Sequence, residues 1–474
     1  MSRTAPAAFT ANNYDYLLAR LSARQGNYAE ANRLLQQVIR RGSVLSSYAL
    51  WHQAELARRA GMLEEEQKLL EQLLARSPGF LYRHTVLQRL ATNYSRAGKY
   101  QSVISTLNPI ASTRGSLARE SLAQVGNAQL SLGQSAVARA TFESLLAGGL
   151  MDDAALRASL ALDRIDETNK TAAADADRLR RARIYQFNRA FVPARKHWMA
   201  LLNSNLQSIN RREALFQLGR GYFLEMNFPE AIRWYQRVHD EFPTTEEGEQ
   251  GFYFVGHCHQ ALYQVDQAIA RYEQFIRAYP QSDYFGYAFL NAIDTLRVAN
   301  RLEEAAKWTT RAQIEVREPF ITTRALFDRV KIRMTQGGYT AALADLTTLG
   351  TRNLGLRGMV ASTNSAEVSF LRTICFEQLG RFEDAVAAYL AMPEGRNDAA
   401  GYYGFQASSR LRALSRNLRS RNLLASRGEA FAKDARTAIA AGDAAGAKIS
   451  ASQALRLTEA AELRAEMLGI LRRA

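Results

Sequence analysis

Eleven positions along the 474-residue chain recur where one helix has to lie close against another, and nine of them are alanine. The ladder runs Ala31, Glu66, Val103, Ala138, Ala194, Ala231, Ala268, Ala305, Ala342, Ala385 and Ala447. Its steps are 35, 37, 35, 56, 37, 37, 37, 37, 43 and 62 residues. Spacing of this kind belongs to a repeat array, in which each unit buries its apolar face only against its neighbours. A bulky residue usually stands three places before the rung (Tyr28, Leu63, Tyr100, Phe228, Val265, Leu302, Tyr339, Phe382), and a Gly or Asn before that ends the preceding helix. Each unit therefore reads as a helical hairpin.

The unit around Ala231 shows the chemistry of the pattern. Leu215, Leu218, Gly219 and Tyr222 recur at helical spacing on a first helix. Asn227 and Pro229 then mark a turn, because proline fits the first turn of a helix but not its interior. Ala231, Tyr235 and Val238 line a second helix, which Pro243 stops. These landmarks resemble the tetratricopeptide repeat, whose succession of large residue, large residue, Gly, large residue, Ala, large residue, Ala and Pro they follow. The next unit carries Phe252, Val255, Gly256, Ala268, Tyr272, Phe275 and Pro280, 37 residues further on. The usual period is about 34, so longer helices or turns are expected.

The resemblance and the composition together imply an all-α chain. The expected architecture is an α-solenoid, a right-handed superhelix of about eleven tetratricopeptide-like hairpins, strongly curved or ring-like. Nine prolines, 47% hydrophobic residues and few β-branched runs leave little room for a sheet. We divide the repeats into an N-terminal set (1–165), a central set (166–360) and a C-terminal part (361–474) with a hairpin, a Tyr-Tyr-Gly junction and terminal helices. The 56-residue step holds Asp175, Asp177 and an Ala-rich polar stretch, which suggests a half repeat or a bend. The 43-residue step holds a loop rich in Gly, Thr and Asn between Gly350 and Asn364.

No stretch reads as a membrane span. The longest uncharged run, Ser121 to Ala138, contains Gln, Asn, Ser and Gly and falls short of the ~20 apolar residues a spanning helix needs. The N-terminus lacks the apolar core of a signal peptide. The expected location is the periplasm or cell envelope if a signal peptide has been removed, and the cytoplasm otherwise. Cys258 and Cys375 share a register but lie three rungs apart. Packed helices are separated by about 8–10 Å, whereas a disulfide needs Cα atoms within about 7 Å. Two free, buried thiols are expected.

The formal net charge is +15. Residues 178–212 hold nine Lys or Arg and no acid, and residues 399–428 hold six Arg and no acid, so nine plus six accounts for the whole excess. Clustered like charge raises the local field and favours an anionic partner; a solvated helix face is the alternative. Candidate anion- or glycan-binding residues are Arg178, Arg180, Arg181, Arg183, Arg410, Arg412 and Arg416. Nucleic acid is disfavoured as a partner because no nucleic-acid module accompanies the basic segments.

No catalytic, cofactor or metal site is legible. His257, Cys258 and His259 are adjacent, and adjacent helix positions face different ways; in repeat register His259 replaces a packed aromatic while Cys258 points elsewhere. There is no Gly-rich phosphate loop, Ser-His-Asp pattern or zinc spacing.

One stretch departs from the generic repeat. After the hairpin around Ala385 come Tyr402, Tyr403, Gly404, Phe405, Ala407, Arg410 and Leu411. This resembles the end of the superhelical region of soluble lytic transglycosylases, periplasmic enzymes that cleave peptidoglycan glycan strands. In that family a Tyr-Tyr-Gly turn leads into a helix of the form Ala-x-x-Arg-Leu, so Gly404 is expected at a sharp turn with both tyrosines wedged against the hairpin. The family's general-acid Glu is followed by Ser and, about four helical turns later, by Gly-Leu-Met-Gln. Neither Glu120-Ser121 nor Glu143-Ser144 meets that pattern. The resemblance therefore implies a non-catalytic superhelical arm that binds or positions peptidoglycan, with a catalytic domain only if one follows Ala474. The alternative is a tetratricopeptide adaptor that binds a protein or peptide in its concave groove. The resemblance to that repeat places Phe216, Arg220 and Phe223 of one unit, and Tyr253, His257 and Gln260 of the next, on the groove.

Overall fold

The computed structural model describes residues 6–204, 207–354, 363–394 and 398–474. Every regular element among them is a helix, 26 in all. Two compact units, Met1–Gly221 and Tyr222–Ala474, divide the chain.

The first unit opens with α1 (Pro6–Ala11) and continues as pairs: α2 (Tyr14–Arg24) with α3 (Tyr28–Arg40), α4 (Ser46–Arg59) with α5 (Leu63–Arg76), α6 (Arg83–Arg96) with α7 (Tyr100–Ala111), and α8 (Ser116–Ser131) with α9 (Ser135–Ala147). A single helix, α10 (Asp153–Asn169), precedes the pair α11 (Asp175–Phe187) and α12 (Phe191–Leu202), and α13 (Ser208–Leu224) carries the division between the units. The second unit continues with α14 (Phe228–Glu241), then α15 (Glu246–Ala261) with α16 (Val265–Ala278), α17 (Phe285–Val298) with α18 (Leu302–Glu315), α19 (Pro319–Thr335) with α20 (Tyr339–Gly350), and α21 (Ser365–Gln378) with α22 (Phe382–Leu390). A second single helix, α23 (Ala399–Arg416), is followed by α24 (Arg421–Ala440) with α25 (Ala444–Leu457) and by α26 (Ala461–Arg473).

Each rung is the fourth residue of a second helix. All nine alanine rungs have no exposed surface, and Glu66 and Val103 are 2% exposed. Five residues before every rung the backbone is left-handed, with φ between 56° and 80°: Gly26, Gly61, Gly98, Gly133, Arg189, Met226, Tyr263, Asn300, Gly337, Gly380 and Gly442. The following N–H then donates to the carbonyl five residues back, as from Asn27 to Ser22 (2.8 Å), Gln264 to His259 (2.9 Å) and Arg301 to Leu296 (2.8 Å). That closure satisfies carbonyls a helix end leaves open, and it fixes where the second helix starts relative to the first.

The two longest steps have one cause. Each contains a single inserted helix, α10 of 17 residues or α23 of 18, packed on the pair before it and followed by no rung of its own. The half repeat expected near Asp175 is thus α10, which ends before that residue. Most of the loop expected between Gly350 and Asn364 lies outside the described residues. Among the described residues no helix is long and apolar enough to cross a membrane. Cys258 and Cys375 are free and buried, and burial pushes their thiols up, to about 12 and about 11.

Candidate binding surface on the first helices

The rung supplies a register for the first helices. Eleven residues before it stand His257, Asp294 and Lys331, on α15, α17 and α19; fourteen before it stand Phe254, Asn291 and Asp328. Residues three apart share a helix face, so the repeat sets these six side chains along one side of three successive first helices.

The aromatic end of this face is built around His257. Its ring meets Phe223 edge-on at 5.3 Å and Phe254 at 6.4 Å. Burial holds its pKa below the usual imidazole value, and its Nδ1 is buried with no partner among the described residues. The charged end is a network across α17 and α19. Asp328, wholly buried, accepts from Arg297 (3.1 Å), Arg324 (3.1 Å) and Lys331 (2.8 Å), while Asp294 meets Arg297 (3.0 Å) and Arg324 (3.3 Å). Burial and the neighbouring Asp328 carboxylate push the Asp294 carboxyl up. Desolvated groups held by neighbours present fixed partial charges to a ligand at little ordering cost.

The expected groove residues divide. Phe223 and His257 lie on this face and Arg220 is exposed. Phe216 and Tyr253 are buried, at 8% and 6% exposure. Tyr253 is covered from the next first helix: Asn291 donates to its hydroxyl at 2.7 Å and Tyr284 lies against its ring at 4.7 Å. Gln260 accepts from the Tyr272 hydroxyl at 2.9 Å and so serves the packing of its own pair.

The basic residues also divide. Arg181 is 2% exposed and donates to Asp163 (2.8 Å) and Asp166 (2.6 Å) of the inserted helix α10; it is an interior residue, not a surface one. Asp163 also accepts from Tyr185 (2.6 Å) and His197 (3.0 Å), and these donors outweigh burial to hold its carboxyl down at about 2. Arg178 donates to the Ala173 carbonyl. Arg183 donates to Glu213 through Nε and Nη2, and Arg180 is exposed, 3.9 Å from Asp177. Arg410 ties α23 to Glu377 of α21. Arg416 is exposed, 3.7 Å from Glu459, and Arg412 is exposed with no partner among the described residues.

The Tyr-Tyr-Gly junction differs from expectation. Tyr402, Tyr403 and Gly404 lie inside α23, not at a turn. A Cβ on Gly404 would fall 1.7 Å from the Pro393 carbonyl oxygen, so glycine is needed for close approach to the end of the preceding hairpin rather than for chain reversal. Tyr403 packs on Phe370 at 5.3 Å, whereas Tyr402 is 59% exposed. At the His-Cys-His run it is Cys258 that enters the core and His259 that stays half exposed, with Nδ1 2.7 Å from the Gln264 amide oxygen. No three His, Cys, Asp or Glu come together as a metal site among the described residues. Glu120 is spent on Arg157, and Glu143 lies 3.6 Å from Arg139.

Tetratricopeptide-repeat models match residues 16–79 and 256–282. The chain carries tetratricopeptide repeats. The first match spans the rungs Ala31 and Glu66, and the second spans Ala268. No curated protein sequence matches the chain significantly. Among solved structures, a tetratricopeptide repeat protein from Parabacteroides merdae is 14% identical over 70% of this chain and 99% of its own, with a TM-score of 0.27. Yeast Tom70 is 9% identical over 87% and 98%, with a TM-score of 0.31, and the Cut9–Hcn1 hetero-tetramer is 13% identical over 99% and 99%, with a TM-score of 0.28. Overlaps this low carry no argument about ligands. The Asp294–Asp328 network and the Asp163 cluster were not anticipated; the signal for the first was the charge run Arg324, Asp328 and Lys331 at helical spacing on a first helix.

Proposed function

We propose that the chain is a scaffold that binds a protein segment along the first-helix face of its second unit. What supports this is the recurrence of His257, Asp294 and Lys331 at one repeat position, which grades a single face from aromatic to charged. The segment would lay an apolar group against Phe223, Phe254 and His257 and charged groups against α17 and α19. Peptides selected from a random library on the intact chain test the reading. Their affinity should fall at least tenfold, about 1.4 kcal/mol, on His257→Glu or Lys331→Glu and stay unchanged on Arg233→Glu, a second-helix residue with a 71% exposed side chain. Equal losses from all three, or from none, would refute it.

A second reading is an arm that holds peptidoglycan glycan strands. It is supported by the sequence resemblance at Tyr402–Leu411 and by Arg412, Arg419 and Arg421, exposed residues whose side chains are unpaired among the described residues. Exposed charge is screened beyond about 10 Å at 0.1 M salt, so retention on sacculi should fall steeply with salt. It should also fall on changing these three arginines to Gln. Retention that ignores both would count against this reading.

A further inference from the structure

The second unit holds a cavity of about 440 Å³ between α21, α22 and α23. Its walls are mostly apolar, with Phe376 of α21, Met392 just after α22 and Tyr403 of α23. One cation lines it. Arg372 is half-buried, its Nε is fully enclosed, and it makes no hydrogen bond or ion pair to any described residue. Two other arginines show the contrast: buried Arg181 has Asp163 and Asp166, and Arg410 of α23 has Glu377. Two further donors on the same helix, the hydroxyls of the exposed residues Ser365 and Ser369, stand at its open side and are unpaired among the described residues. Of the other lining polar side chains, Thr373 donates to the Ser369 carbonyl, and burial together with the Glu367 carboxylate pushes the Tyr403 hydroxyl up to about 12.

A half-buried guanidinium with no protein acceptor keeps N–H donors that an anion in the cavity can engage. Guanidinium with two hydroxyls is the donor set that a carboxylate accepts from, and apolar walls of this volume suit a chain of several carbons. We propose that this cavity binds a monocarboxylate with an apolar tail, the carboxylate on Arg372, Ser365 and Ser369 and the tail against Phe376, Met392 and Tyr403. Such a group is either a free medium-chain acid or the C-terminal residue of a polypeptide ending in an apolar side chain. The site shares no residue with the first-helix face proposed above, so each can fail alone.

Titration calorimetry on the intact chain tests it with three probes: octanoate, octanol, and a short peptide ending in leucine, the last with a free or an amidated C-terminus. Octanoate or the free-acid peptide should bind, and octanol and the amide should bind at least tenfold more weakly. Arg372→Gln should weaken the acid at least tenfold, about 1.4 kcal/mol. Ala388→Leu, which fills the cavity from α22 without touching the charge, should abolish binding, while Arg412→Gln on the outer face of α23 should not alter it. Octanoate alone binding identifies a free acid as the source, and the peptide alone binding identifies a chain terminus. No binding by either acid, or equal binding of acid and uncharged analogue, or unchanged affinity in both Arg372→Gln and Ala388→Leu, would overturn the proposal.

Discussion

Glu66 stands where nine of the other ten rungs are alanine, and the reason can be tested by a double-mutant cycle with Arg89. Their side chains are 2% and 8% exposed, with Nη2 2.5 Å from Oε1. Arg89 also reaches Glu55 (3.3 Å) and the Ala54 carbonyl (3.1 Å), and its guanidinium lies 4.5 Å from the centre of the Trp51 ring. Arg89→Leu removes the cation from an enclosed carboxylate, and breaking a buried pair in this way costs about 3–5 kcal/mol. Glu66→Ala leaves Arg89 with its other partners, so its cost is closer to that of one unsatisfied group, about 1–3 kcal/mol. Independent sites would make the double variant about 4–8 kcal/mol less stable, the sum of those two ranges. Replacing both charges at once instead removes the desolvation penalty together with the attraction, which is often near neutral, and it gives the rung its usual alanine. We expect the double variant within about 1 kcal/mol of the parent, a coupling of about 3 kcal/mol or more. A repeat array opens locally rather than all at once, so the assay is amide hydrogen exchange read on α4 to α7. A double variant that exchanges as fast as the two single losses added together would refute the claim that the pair is a substitute for the small residue.

Further outcomes follow from the same register. Met226→Gly and Tyr263→Gly should each raise the unfolding midpoint, since both are non-glycine residues in the left-handed conformation with mostly exposed side chains and relief of that strain is worth about 1 kcal/mol; lowered midpoints in both would show that the side chains are needed. Ala268→Leu or Ala305→Leu should overpack the hairpin and cost about 1–3 kcal/mol; urea midpoints that do not move in either would sink the rung assignment. His52, half-buried and 2.5 Å from Arg20, is pushed down to about 4 by burial and then by that charge. The folded chain then binds fewer protons than the unfolded one between about pH 4 and the ordinary histidine value of 6.5. Its contribution to stability is therefore complete above 6.5 and declines as pH falls towards 4, and an NMR titration of its ring proton should show a midpoint that rises on Arg20→Gln.

The repeat was legible because two requirements act within one turn of chain. A second helix that starts three residues before its rung needs a small group at that rung, and a chain that reverses in so few residues needs a left-handed residue just before it. Seven of the eleven junctions meet the second need with glycine, and one more with Asn300. Arg189, Met226 and Tyr263 do so without either signal, and there only the rung marks the junction. The inserted helices were harder to read. Helix α10 has its own N-cap, Asp152, whose side chain accepts from the Ala155 N–H at 2.9 Å, and α23 has Asp398 on Gly401 at 2.9 Å. Neither helix carries a rung, and the ladder registers only rungs.

The binding face was harder to read than the fold, and Tyr253 shows why. Counted on one isolated helix, positions fifteen, eleven and eight before the rung form a single stripe, and Tyr253, His257 and Gln260 occupy it. In an array a first helix has a second neighbour, the first helix of the next unit, and that neighbour covers one flank of the stripe. Tyr253 is on the covered flank, where Asn291 and Tyr284 close over it, and Leu290 and Phe327, at the same position one and two repeats on, are 6% and 2% exposed. Position eleven lies off that flank and stays accessible in His257, Asp294 and Lys331. The pattern of residue types agrees, because the covered position is occupied by Tyr, Leu and Phe while the accessible one changes from His to Asp to Lys. A position that keeps its character through successive repeats is serving the stack, and one that changes is free to serve a ligand.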